Sequence, residues 1–91
     1  MKICKETMTW QFYVKVDFLT FYDIGLKRHV SLPLKYYYWN DDPEKPTVVG
    51  SILIEDDMGN KSHLFIKDGK LIYLRDCTHD LKDKTVDMVD I

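Results

Sequence analysis

The stretch Trp10-Gln11-Phe12-Tyr13-Val14-Lys15-Val16-Asp17-Phe18-Leu19-Thr20-Phe21-Tyr22 decides how this chain folds. Its side chains alternate with a period of two. Trp10, Phe12, Val14, Val16, Phe18, Thr20 and Tyr22 fall on one face, and Gln11, Tyr13, Lys15, Asp17, Leu19 and Phe21 on the other. Helical spacing fits poorly, and the β-branched and aromatic content suits a pleated strand. The even-numbered face is the more apolar and is expected to meet the core. The odd-numbered face is polar through Asp17 and turns apolar at Leu19 and Phe21.

Asp23-Ile24-Gly25-Leu26-Lys27 offers a glycine and polar residues for a reversal. The following run alternates again, with Val30, Leu32, Leu34, Tyr36 and Tyr38 against Ser31, Pro33, Lys35, Tyr37 and Trp39. If the two runs form an antiparallel hairpin with both even faces inward, opposed residue numbers must sum to an even value. A sum of 50 sets Lys15 against Lys35, whereas 52 sets Asp17 against Lys35 and Tyr13 against Trp39, so 52 is the expected register. It divides the aromatic block at residues 36–39: Tyr36 and Tyr38 pack inward against Val16 and Val14, and Tyr37 and Trp39 face outward beside Lys15 and Tyr13. Pro33 has no N–H to give a ladder, which marks its strand as an edge or a bulge.

Asn40-Asp41-Asp42-Pro43-Glu44-Lys45-Pro46 reads as a loop, and residues 47–55 as a strand apolar on both faces apart from Gly50 and Ser51. Residues 56–61 turn it. Residues 62–67 and 70–75 flank Asp68-Gly69, the strongest hairpin signal in the chain, since a two-residue turn of this type needs positive φ at both central positions. Pairing about it opposes Leu64 to Tyr73 and Ile66 to Leu71 on one face, and Phe65 to Ile72 and His63 to Leu74 on the other. Both faces are apolar, so a second layer, a C-terminal helix or a partner has to cover one of them. In the acidic tail, residues 76–91, the spacing of Asp80, Asp83, Asp87 and Asp90 fits one face of a helix, while Thr85–Val89 fits a short strand equally well. Residues 1–7 read as a polar lead-in, with Ile3 and Cys4 able to extend a strand.

At 91 residues the chain is one domain, residues 1–91, and the expected architecture is mainly β: a small antiparallel meander of about five strands, a sandwich or partly closed barrel, with a short C-terminal helix as an option. No apolar run is long enough for a membrane span or a signal segment, which points to a cytoplasmic setting with no membrane partner. Cys4 and Cys77 are then two reduced thiols rather than a disulfide. The net charge of −2 hides alternating blocks: residues 1–40 carry +3, 41–57 carry −5, 58–75 carry +3 and 76–91 carry −3. That pattern lacks the uniformly basic surface of a nucleic-acid binder.

Only Asp76-Cys77-Thr78-His79-Asp80 clusters thiol, imidazole and carboxylates. It supplies two zinc-type ligands without a second pair, and a thiolate nucleophile would need an orienting group and an oxyanion site that nothing adjacent provides. Asp41-Asp42 and Asp56-Asp57 sit at turns, where aspartate bonds the local backbone, and lack calcium-loop spacing. No phosphate-loop, dinucleotide, serine-hydrolase or zinc-protease motif occurs. The expectation is therefore a protein without catalytic residues, metal or cofactor. Ten of the twelve aromatics precede residue 40. Tyr13, Lys15, Lys35, Tyr37 and Trp39 form the candidate contact surface, because tyrosine and tryptophan bring large area and a polar tip to interfaces; the competing reading is a second core layer. The function that follows is protein binding, as a small inhibitor or immunity-type protein of a mobile element, with homo-oligomerisation through the aromatic face or the Pro33 edge as a further expectation. The alternative is a nucleotide or single-stranded nucleic-acid binder that stacks bases on these rings.

Overall fold

The computed structural model describes residues 1–9 and 11–91. Trp10 and the side chain of Gln11 lie outside the described residues, and so do the faces expected for them. Eight strands form among the described residues: β1 (Ile3–Thr9), β2 (Lys15–Asp23), β3 (Arg28–Pro33), β4 (Tyr38–Trp39), β5 (Val48–Glu55), β6 (Lys61–Lys67), β7 (Lys70–Tyr73) and β8 (Thr85–Asp87). They make two antiparallel meanders, a three-stranded sheet β1-β2-β3 and a five-stranded sheet β4-β5-β6-β7-β8. The expected mainly β meander is what forms, without a closed barrel. No α-helix occurs among the described residues, and the tail takes its strand alternative as β8.

One apolar core joins the two sheets. The three-stranded sheet contributes Ile3, Leu19, Phe21, Val30 and Leu32, and the five-stranded sheet contributes Val48, Ile52, Leu64, Ile66, Leu71 and Tyr73. The hairpin about Asp68-Gly69 has the expected register, with Leu64 opposite Tyr73, Phe65 opposite Ile72 and Ile66 opposite Leu71. Asp68 (φ 50°) and Gly69 (φ 75°) both occupy the left-handed region that such a turn requires. β3 is an edge of its sheet, where Pro33 needs no second partner.

Three expectations are corrected. First, the odd-numbered face of β2 is the inward one: Leu19, Phe21 and Asp23 are fully buried, while Val16, Phe18, Thr20 and Tyr22 are only half-buried. Leu19 opposes Leu32 and Phe21 opposes Val30, so opposed numbers sum to 51 rather than 52. Second, the long alternating run is not one strand. Gln11–Tyr13 form a turn in which Phe12 (φ 62°) and Tyr13 (φ 64°) are both left-handed, and the chain doubles back so that residues 3–9 pair with β2. The polar lead-in is thus largely β1, anchored by a fully buried Ile3. Third, β3 ends at Pro33, and the chain crosses to the other sheet through a turn closed by Tyr36 N–H donating to Pro33 C=O at 3.1 Å. That crossing reverses the aromatic block: Tyr36 and Tyr38 are exposed, whereas Tyr37 and Trp39 pack against the core.

The inward turn of β2 has a polar cause at its end. The Tyr73 hydroxyl donates to Asp23 Oδ1 at 2.6 Å across the two sheets, and Gly25 N–H donates to the same Oδ1 and to the Tyr73 oxygen, both at 3.0 Å. Burying a carboxylate costs several kcal/mol, more than a bond of about 1.5–3 kcal/mol to a charged group returns. The contact therefore adds little net stability. It selects register instead, because a one-residue slip of β2 would turn Asp23 away and strand the Tyr73 hydroxyl. A Cβ at Gly25 would collide with the His79 ring, which stands edge-on to Tyr73 at 4.7 Å between centroids. Only glycine lets the loop lie this close.

Tyr73→Phe should lower unfolding free energy by about 1–3 kcal/mol in urea titrations near neutral pH, since Asp23 loses its shortest partner. Burial first, and then the bond to Asp23, push the Tyr73 hydroxyl well above the ordinary tyrosine range. A raised folded-state value gives stability that is complete below the unfolded value of about 10 and is lost as pH rises beyond it. The gap between wild type and Tyr73→Phe should therefore narrow above about pH 10; a constant gap would contradict the arrangement.

Candidate functional site

The core stops short of one end of the three-stranded sheet. Beyond Ile3 and Leu19 no described residue of β1 or of the start of β2 is buried: Lys5–Thr9 and Phe12–Lys15 are exposed, and Val16–Phe18 are half-exposed. This end is a hairpin arm whose tip carries the most exposed rings among the described residues, Phe12 at 91% and Tyr13 at 92%. Below the tip, Val14, Lys15, Val16, Asp17, Leu34 and Lys35 line a depression of about 410 Å³. Leu34 N–H donates to Asp17 C=O at 2.9 Å, which holds the Leu34–Tyr36 turn against β2. Tyr36 is exposed with the Lys35 ammonium 5.7 Å from its ring centroid, within reach of a cation–π contact.

Of the five residues proposed from sequence, Tyr13, Lys15 and Lys35 meet at this end. Tyr37 and Trp39 do not: Trp39 sits opposite Val48 with its ring toward the core, and Tyr37 lines a separate groove beside β3. Phe12 and Val14 join Tyr13 and Lys15 on the arm, and Tyr36 stands beside Lys35. The sequence gives no sign of a reversal at residues 11–13, because none of them is glycine, proline, asparagine or aspartate. Lys15 and Lys35, like charges, share one depression. Both are exposed, where solvent and salt screen the repulsion. Asp17, expected opposite Lys35, instead accepts a 2.6 Å hydrogen bond from the Thr7 hydroxyl. Neither lysine makes an ion pair among the described residues. The tip therefore presents aromatic area beside two cations available to a ligand.

The other sequence candidates are occupied with structural bonds. Cys77 is buried; its thiol donates to His63 C=O at 3.3 Å and accepts from His63 N–H at 3.2 Å. His79 points elsewhere, with Nδ1 accepting from Leu81 N–H at 3.2 Å and Nε2 lying 2.9 Å from the Ser62 hydroxyl. The Leu81 contact puts the ring proton on Nε2, so the imidazole donates to Ser62 and has no lone pair free to activate it. Ser62 is also fully buried. This serine–histidine pair is a brace, not a nucleophile with its base. His63 pairs with Asp76 at 3.0 Å, on the outer face of the five-stranded sheet. Asp42 and Asp56 serve turns: Asp42 Oδ1 accepts from the amides of Glu44 and Lys45, and Asp56 accepts from Met58, Asn60 and the Asn60 side chain. The Asn60 bonds hold the Asp56 carboxyl below its usual range.

The two thiols should differ in reactivity. Cys4 is half-exposed on the outer side of β1 and Cys77 is buried in the core, so they lie on different faces and are both free. Under native conditions a thiol-specific reagent should label Cys4 alone, with Cys77 reacting only as the chain unfolds in urea. Equal native labelling would contradict the core placement of Cys77. Comparison with protein-family models, with curated proteins and with solved structures finds no match to this chain.

Proposed function

We propose that this chain is a non-catalytic, intracellular protein-binding domain that acts by occupying a partner, in the manner of a small inhibitor or immunity protein. The observation that carries the reading is the arm tip, where Phe12 and Tyr13 stand more than nine-tenths exposed. Each such ring left in water forgoes about 1.5–3 kcal/mol of burial, and each non-glycine residue held at positive φ stores roughly 1–3 kcal/mol of strain. A fold that concentrates both penalties at one projecting tip gains nothing from them in isolation. A partner surface with an apolar recess for the rings and carboxylates for Lys15 and Lys35 would recover them.

The same rings and lysines also suit the alternative, a nucleotide or single-stranded nucleic acid stacked on Tyr13 and Tyr36. Trp39 is turned inward and is not a platform for it. Binding of this kind would fall steeply with salt.

Affinity capture from host lysate tests the leading reading. A stoichiometric protein partner should be retained by wild type and by Met58→Ser, which alters an exposed residue in the turn after β5. It should be lost with Phe12→Ser plus Tyr13→Ser, whose thermal stability should equal or exceed that of wild type. Capture that survives the double substitution, or salt-sensitive recovery of nucleic acid in place of protein, would contradict it.

A further inference from the structure

We infer that the open seam between β3 and β5 is a strand-addition site for an extended peptide segment of a partner protein. The site is separate from the aromatic tip and does not depend on it. Among the described residues β3 pairs only with β2. Leu34 N–H bonds to Asp17 C=O, and alternation of an antiparallel ladder from that pair places Leu32, Val30 and Arg28 in the bonded positions. The backbone N–H and C=O of His29 and Ser31 therefore point away from the sheet.

β5 has the same property. It pairs with β4 only at Val48 and Val49, which leaves the segment from Ile52 to Glu55 bonded to β6 on one side alone. Asp56 N–H donates to Asn60 C=O at 3.0 Å, so the alternation places Ile54 and Ile52 in bonded positions and turns the backbone groups of Leu53 and Glu55 outward. The bond from Leu74 N–H to His63 C=O agrees, because His63, opposite Leu53, spends its own carbonyl on the far side of β6.

These two unpaired edges are the walls of one groove of about 550 Å³, which β3 residues, Tyr37, Leu53 and Glu55 line together. Strand edges with outward N–H and C=O groups are templates for a further strand. The groove also selects which kind. An edge strand of a second folded copy brings its own sheet behind it, and here that space is filled by β5; a segment free on both of its edges has no such obstacle. β3 spans six residues, roughly 20 Å of extended chain, enough for a segment of similar length. Main-chain bonds supply the affinity, and β-branched side chains suit the segment because they favour the extended backbone.

The probe is a seven-residue peptide of alternating valine and threonine with a lysine at each end, titrated into the full chain and followed by the backbone amide resonances. The amides of His29, Ser31, Leu53 and Glu55 should shift together. Methylating alternate peptide nitrogens should weaken binding about tenfold or more. Ser31→Pro should do the same with the fold kept, because the N–H it removes lies outside the β2–β3 ladder. Phe12→Ser plus Tyr13→Ser should bind the probe as wild type does. Shifts confined to another surface, indifference to peptide methylation, or sedimentation showing a dimer that Ser31→Pro dissolves would each overturn the assignment; the methylated probe decides even if the proline variant fails to fold.

Discussion

The 2.6 Å hydrogen bond from the Tyr73 hydroxyl to Asp23 Oδ1 is the constraint on which the arrangement of the two sheets depends. It joins the end of β2 to the end of β7, and both groups are buried, so neither has water as a substitute partner. Because side chains alternate, fixing Asp23 inward also fixes Phe21 and Leu19 inward and leaves Phe18 and Tyr22 on the outer face. Gly25 closes over the pair, the His79 ring packs on Tyr73 and Gly25, and the Ser62 hydroxyl oxygen accepts a hydrogen bond from His79 Nε2. A short polar chain thus pins the first sheet to β6 and β7 of the second. Apolar burial supplies the stability around it.

Much of the second sheet was legible from residue order. Asp68-Gly69 dictates a turn with two left-handed residues, and that turn sets the register of Leu64, Phe65 and Ile66 against their partners. Pro33 marks an edge for the simple reason that it has no N–H, and Asp42 and Asp56 mark turns by capturing nearby amides. The first sheet was less legible. Residues 18–22 are largely apolar on both faces, so burial alone does not choose between them, and the choice falls to a bond between Asp23 and a tyrosine fifty positions away. The reversal at Phe12 and Tyr13 uses left-handed backbone without glycine or asparagine, the residues by which such turns announce themselves. With the reversal hidden, Ile3–Thr9 has no visible partner in the sequence, and the separate crossing between sheets after Pro33 is what turns Tyr37 and Trp39 inward.

The surface follows from where the core ends. The second sheet covers the first only as far as Leu19, and past that point the β1–β2 arm stands free with rings at its tip and two lysines behind them. The seam between β3 and β5 arises in the same way, since β4 is too short to pair with the whole of β5. Both features are consequences of a small domain whose strands are unequal in length. Both leave groups exposed that elsewhere in the chain are paired or buried.

The sheets are locked at the Asp23–Tyr73 end and free at the arm. Residue-resolved amide hydrogen exchange on the isolated chain reads this division out. Amides of Leu19, Phe21, Leu64 and Ile66 should exchange only through global unfolding, whereas those of Glu6–Thr9 and Lys15–Asp17 should exchange orders of magnitude faster through local opening of the arm. Uniform protection along β1 and β2, or slowest exchange at the arm, would contradict it.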